Sequence, residues 1–187
     1  ATMASEFIAL MMKANGLQPF GDKESTFNSD SKRSWFQNFE ALSYKADRDS
    51  MALMIGTDGK VQEYKQKEAE VTPLRNVLGI VWGQDTTISI IIGAHYDHLG
   101  IRDGKIYNGT DDNASGVSGV LALAKSWSGS PEKPPCNLIF ASWTAEEKGL
   151  IGSKYFLQNQ INRPVNIILS LNMDIISRRA PEDSTGR

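Results

Sequence analysis

Only two histidines occur in the 187-residue chain, and both, His95 and His98, stand in the stretch GAHYDHLG with Asp97 between them. An imidazole can act as a base, a proton shuttle or a metal ligand. Which of these it does depends on the acids that can meet it. Asp111 and Asp112 form a doublet in NGTDDNASGV, Glu146 and Glu147 a second in TAEEKGLIGSKYF, and Asp174 follows the apolar run IILSLNM. Brought together in a dry cleft, these carboxylates repel one another unless a cation sits among them.

The one cysteine, Cys136, excludes both an internal disulfide and a thiolate zinc cluster. Oxygen and imidazole donors remain, a set that zinc accepts and that also suits cobalt or manganese. Two zinc ions bridged by one carboxylate would activate a water and polarise a carbonyl. A neighbouring carboxylate that binds no metal could take the water's proton. The doublet Glu146–Glu147 can divide those roles, one as ligand and one as base.

Each residue taken singly has a plainer reading. A histidine after a strand is most often structural, paired aspartates at a helix start are N-caps, and paired glutamates there favour the helix dipole. Asp111 is expected to be such a cap. Five accidents of this kind, all at strand ends, are harder to accept than one site. Cys136, at a strand start, reads as a buried small hydrophobe, and the methionines as core filler. Asn108 and Asn113 fit the glycosylation acceptor pattern, but a glycan on Asn113 would block the cleft.

The elements that must position these residues follow from the apolar pattern. SEFIALMMKANG reads as an opening helix capped by Ser5, with Phe7, Leu10, Met11 and Ala14 on one face. A polar loop and the strand WFQNFEALSYKA follow. GTDG at 56–59 marks a turn before a charged excursion. NVLGIVWG and TTISIIIGAHYD are β-branched runs joined by QDTT, which predicts a hairpin. NASGVSGVLALAKSW is helical, CNLIFASW a buried strand, KGLIGSKYFLQNQ a helix and VNIILSLNMDII a second buried strand. Strands alternating with helices predict a three-layer α/β/α sandwich on a mixed, mostly parallel sheet with an antiparallel start. Ligands bind beyond the carboxyl ends of strands in such sheets, where the candidate residues lie. With 40% hydrophobic residues, residues 1–187 can build one core, read as one domain. The net charge of −2 gives no basic field for nucleic acid. No apolar stretch is long enough to span a bilayer and no signal peptide is visible.

GAHYDHLG, NGTDDNASGV, TAEEKGLIGSKYF and LNMDII, in this order, resemble the motifs of the two-zinc aminopeptidase family of bacterial leucine-type aminopeptidases. The resemblance implies a phosphorylase/hydrolase-like zinc peptidase architecture and hydrolysis of the N-terminal peptide bonds of peptides or proteins. It implies His95 as a ligand of one zinc, with Asp97 orienting its ring and counted with the catalytic residues. Asp112 is implied as the bridging ligand, Glu146 as the general base, Glu147 as a ligand of the other zinc and Asp174 as a further ligand of the first. The family places its last zinc-ligating histidine on a loop after the NMD strand. This chain has no histidine beyond His98, so the expectation is a domain lacking its C-terminal portion, holding one zinc in place of two, and weakly active or inactive alone. His98 is expected to support the metal ligands without binding the metal itself, or to lie in the loop, and not to replace the missing ligand. Glutaminyl cyclases, single-zinc acyltransferases, resemble the same fold and are the alternative, as is a catalytically silent binding module. A secreted or periplasmic location is what the resemblance implies.

Overall fold

The computed structural model describes residues 2–23, 32–44, 51–52, 69–159 and 165–177. GTDG at 56–59, most of the charged segment after it and the tail from 178 lie outside the described residues. The frame is a seven-stranded sheet: β1 (Gln18–Pro19), β2 (Phe36–Tyr44), β3 (Met51–Ala52), β4 (Ala69–Val81), β5 (Asp85–His95), β8 (Cys136–Trp143) and β9 (Asn166–Asn172). Short strands β6 (Gly100–Arg102) and β7 (Lys105–Tyr107) form a separate hairpin between β5 and the helix α2 (Gly116–Ser128). Two further helices, α1 (Thr2–Ala14) and α3 (Ile151–Gln158), complete the set.

The sheet runs β3-β2-β4-β8-β5-β9, with β1 on β4. Its parallel core is β8-β5-β9, and β1 to β4 form the antiparallel start. Residue alternation along the central strands sorts the core into two faces. Val77, Ile92, Ala94, Leu138 and Phe140 meet α1 and α2 through Ile8, Met12, Val120 and Ala124. Leu78, Ile80, Ile91, Ile139 and Ala141 meet Phe156 of α3 on the other face. Helices on both faces give the expected three layers.

Three expectations change. β4 and β5 are not a hairpin, because β8 lies between them, antiparallel to β4 and parallel to β5. A short polar link is compatible with either outcome. Here Gly83 and Gln84 instead carry the chain past the start of β8, with Gln84 N–H donating to Pro134 O. The opening helix begins at Thr2, so Ser5 lies inside it and its hydroxyl donates to the Thr2 carbonyl. Its buried face is Ser5, Ile8, Ala9 and Met12, whereas Phe7 and Leu10 are exposed. Both faces of α1 are apolar, and the guanidinium of Arg75, donating to Ser5 Oγ at 2.7 Å and Thr2 O at 2.9 Å, turns the Ser5 side inward. Among the described residues β9 is an edge strand, with Ile168, Leu169 and Leu171 exposed where a buried strand was expected. No helix among the described residues is long and apolar enough to cross a membrane.

Candidate metal centre

Parallel pairing brings the carboxyl ends of β5, β8 and β9 to one edge, with His95 opposite Trp143 and Gly93 opposite Asn172. The candidate residues therefore leave the sheet together. His95, 2% exposed, ends β5. Glu146 and Glu147 follow β8 through Ala145, held at φ 52°, and Asp174 follows β9 just before Ile175 at φ 51°. Left-handed backbone at non-glycine residues is costly and is kept where the surroundings demand it. Asp112 comes from an irregular turn, Thr110–Ser115, whose helical angles break at Asp112 and Asn113.

The start of α2 is fastened to the exit of β9. Asn113 Oδ1 accepts from Gly116 N–H at 3.0 Å, capping the helix, while its Nδ2 donates to Met173 O at 2.9 Å. Gly116 allows this approach: a Cβ there would lie 2.3 Å from Met173 O. Both ends of the Asn113 amide are thus engaged, and the side chain is buried. Asp111, expected as a cap, instead accepts from Ser177 N–H at 3.1 Å and so holds the turn beyond Asp174. Neither Asn113 nor Asp111 carried a sequence signal for these positioning roles beyond being polar near a helix start.

His95 Nε2 lies 3.1 Å from Asp112 Oδ1, 3.4 Å from Asp174 Oδ1 and 3.8 Å from Glu146 Oε2. Its Nδ1 is 3.1 Å from the Asp97 backbone carbonyl and 3.7 Å from the Asp97 carboxylate. A carbonyl only accepts, so Nδ1 carries a proton, and in the neutral ring Nε2 turns its lone pair toward the acids. The Asp97 carboxylate does something else as well: it accepts from the backbone N–H of Glu146 at 3.0 Å and of Glu147 at 3.3 Å. Asp97 therefore ties the imidazole to the glutamate doublet. His98, expected to support the ligands or to lie in the loop, has Nδ1 2.8 Å from Glu147 Oε1 and 3.9 Å from Asp112 Oδ2.

Two donor triads result, His95–Asp112–Asp174 and His98–Asp112–Glu147, sharing Asp112. The chemistry of the set fits divalent cations, as imidazole and carboxylate donors converge from four chain segments. A buried polar group without a hydrogen bond is costly, yet His98 Nδ1 and Glu147 Oε1 are both sealed from solvent and neither forms one. The electrostatics agree. Burial alone would lower the His95 pKa, but Asp97, aided by Glu146 and Asp174, overrides it and raises the value to about 9. Burial raises the Glu146 carboxyl above its ordinary value; the charge of His95 opposes this, and Glu147, Asp97 and Asp174 add to it. On one side Glu146 and His95 also wall a cavity of about 300 Å³ whose other sides include Trp143, Phe156 and Ile167.

A pH dependence follows. A group with a raised folded pKa stabilises fully below its unfolded value, here 6.5, and that contribution is lost as pH rises through about 9. Allowing for water that reaches Asp112 and Asp174, the metal-free chain is expected to lose roughly 2–3 kcal/mol between pH 6 and 9.5. Urea midpoints in chelator at the two pH values measure it. A midpoint that does not fall would mean that His95 is not protonated among these acids.

The sequence pattern of Peptidase family M28 matches residues 76–186, more than half of the chain. Leucine aminopeptidase 2 of Trichophyton rubrum is 34% identical over 102 residues, covering 54% of this chain and 19% of that protein. A "probable zinc metalloprotease" of Pyricularia oryzae is 30% identical over 129 residues, covering 66% of this chain and 25% of its own length. The chain thus spans a quarter or less of these curated relatives. In fold it is similar to a Zn-dependent exopeptidase from Parabacteroides distasonis, with a TM-score of 0.58 and 15% identity over 94% of this chain and 53% of that one. With motif order, mixed sheet and clustered acids in agreement, the chain belongs to peptidase family M28, a family of zinc metallopeptidases.

Proposed function

We propose that this chain carries the cation-binding and proton-transferring residues of an aminopeptidase, which removes residues from the free amino end of peptides. The observation that carries the reading is the shared carboxylate: Asp112 offers Oδ1 to the His95 triad and Oδ2 to the His98 triad, with Glu146 alongside. His95, Asp112 and Asp174 would hold one zinc; Asp112 and Glu147 would contribute to a second. Zinc at such positions supplies positive charge that acidifies water and polarises a carbonyl. Glu146 belongs to neither triad. Its carboxylate takes a proton from the attacking water as oxygen bonds to the peptide carbonyl carbon. It returns that proton to the leaving nitrogen as the C–N bond breaks. Asp97 acts by position, fixing His95 and the Glu146–Glu147 backbone.

Charge supports the choice of the amino end. Asp97, Asp112, Glu146, Glu147 and Asp174 bring five negative charges within one cluster. Two zinc ions neutralise four of them, so one remains to attract a substrate ammonium. The zinc-loaded chain is therefore expected to release the first residue of unblocked peptides and to leave N-acetylated copies uncut. Chromatography of the released amino acids measures this. Equal cleavage of both sets would overturn the exopeptidase reading. Zinc binding with no cleavage of either would favour a binding module.

A further inference from the structure

We propose that the cleft between Trp82 and Trp127 is a binding site for a neutral saccharide, separate from the metal centre. The two indoles, 37% and 36% exposed, line a cavity of about 300 Å³ together with Gln18, Ser130, Glu132 and Lys133. It sits at the opposite end of the sheet from the candidate metal ligands. Trp82 directly follows β4, and Pro134, also in the wall, lies two residues before β8, whose far end leads to the glutamate doublet. The eight residues of β8, at about 3.3 Å each, put roughly 25 Å between this cleft and the acids. The inference therefore stands apart from the metal-dependent reading.

Indoles are mostly kept from water, and two that share one cleft need a reason. Neither is loosely held. Trp82 Nε1–H donates to Gln18 Oε1 at 2.9 Å, and its ring meets Phe20 edge-on, with centroids 6.3 Å apart. Trp127 stands in the last turn of α2, where Gly129 N–H closes the helix on Lys125 O. The neighbouring Ser128 hydroxyl donates to Asn15 O and fastens this turn to the chain just after α1. Aromatic faces fixed in advance lose little conformational freedom when a ligand stacks on them.

The rim supplies hydrogen bonds without net charge. Glu132 and Lys133 are adjacent, exposed and opposite in sign, so neither a cation nor an anion is favoured. A quaternary ammonium suits an indole pair, but Lys133 would repel it. A polyproline segment also stacks on aromatic rings, but it needs a groove several residues long. This cavity is at the small end of ligand pockets. Ser130 Oγ accepts from Glu132 N–H at 3.2 Å, which leaves its own proton for a ligand. The Gln18 amide, its oxygen taken by Trp82, offers its NH₂ group at the same wall. Apolar faces bordered by donors and acceptors of balanced charge match a sugar ring. Its C–H face stacks on an indole, and its hydroxyls take up the rim.

The chain has four tryptophans, so the test can be read residue by residue. The ¹⁵N-labelled full chain is titrated with N,N′-diacetylchitobiose, cellobiose and maltose. Indole N–H signals are followed, assigned from Trp35→Phe, Trp82→Phe, Trp127→Phe and Trp143→Phe. Expected are saturable shifts of Trp82 and Trp127 with at least one of these sugars, in the millimolar range, while Trp35 and Trp143 stay still. Trp127→Ala, which truncates an exposed side chain, should weaken that binding about tenfold or more and leave zinc binding unchanged. Glu132→Gln should keep most of the sugar affinity, because the ligand is uncharged. Choline and tetraproline are titrated in parallel. Saturation by either of them with no response to the sugars overturns the assignment, and so does silence of Trp82 and Trp127 toward all five probes. Sugar shifts that persist undiminished in Trp127→Ala overturn it as well. The wild-type spectra decide the matter even where a variant fails to fold.

Discussion

Asp112→Ala is expected to abolish zinc binding at both positions, where loss of any other single acid weakens one. The asymmetry follows from the carboxylate's two oxygens, which face His95 Nε2 at 3.1 Å and His98 Nδ1 at 3.9 Å. Of the two imidazoles, Asp174 approaches His95 and Glu147 approaches His98. Losing even a group that merely orients a ligand costs about 10–100-fold in affinity, and removing a ligand common to both positions should cost more at each. For the wild-type chain, zinc at about a hundredfold excess over its Kd adds about 2.7 kcal/mol, roughly 5–10 °C in Tm. Asp112→Ala should show none of that shift. Elemental analysis after dialysis and paired melting curves with and without zinc test both parts. Retention of one zinc at wild-type affinity would mean that Asp112 serves a single position and that the bridge is wrong. Asp174→Ala provides the contrast, since it should lose one ion and keep the other.

His95, Glu146, Glu147 and Asp174 of the candidate site were legible because they follow apolar strands whose carboxyl ends the parallel sheet brings together, and Asp112 because it stands in an acidic doublet before an apolar helix. What sequence could not supply was which strands are neighbours. NVLGIVWG and TTISIIIGAHYD satisfy a hairpin as well as they satisfy separation by β8. Only the pairing of Val77–Val81 with Leu138–Ser142 decides between the two. The buried face of α1 was ambiguous for a related reason: apolar residues surround the helix, and a polar contact from Arg75 selects the side. β9 reads as buried because it is largely apolar, yet among the described residues it lies at the sheet edge and is exposed. His98 shows the limit most plainly. Three residues after His95 on the same stretch of chain, it reads equally as a residue supporting the ligands or as a loop residue, and linear spacing does not choose. Its place is set by Gly109 and by the amides of Glu146 and Glu147, distant in sequence, which fold that loop over the shared carboxylate.

Glu146→Gln is expected to leave zinc content unchanged while cutting kcat by roughly 10²–10⁴-fold, the usual share of a positioned base. Glu146 lies outside both donor triads, and its carboxylate is the farthest of the three acids from His95 Nε2, at 3.8 Å against 3.1 and 3.4 Å. Gln keeps its shape and its hydrogen-bonding capacity but cannot take a proton at neutral pH. The backbone would also be unaffected, since Asp97 grips the Glu146 N–H and not its side chain. The pH profile separates loss of the base from a general disturbance. In the metal-free chain, burial, together with the neighbouring acids, raises the Glu146 carboxyl above its ordinary value despite the opposing charge of His95. A carboxyl serves as base only after losing its proton, so activity of the zinc-loaded wild type should rise with pH, and the residual rate of the Gln variant should lack this limb. Glu147→Gln, in contrast, should lower zinc affinity and regain most of its turnover when zinc is raised. The reverse pattern, with Glu146→Gln rescued by zinc and Glu147→Gln defective at any zinc concentration, would exchange the two roles. That outcome would require Glu147 Oε1 to leave His98, which the 2.8 Å approach and the burial of both atoms oppose.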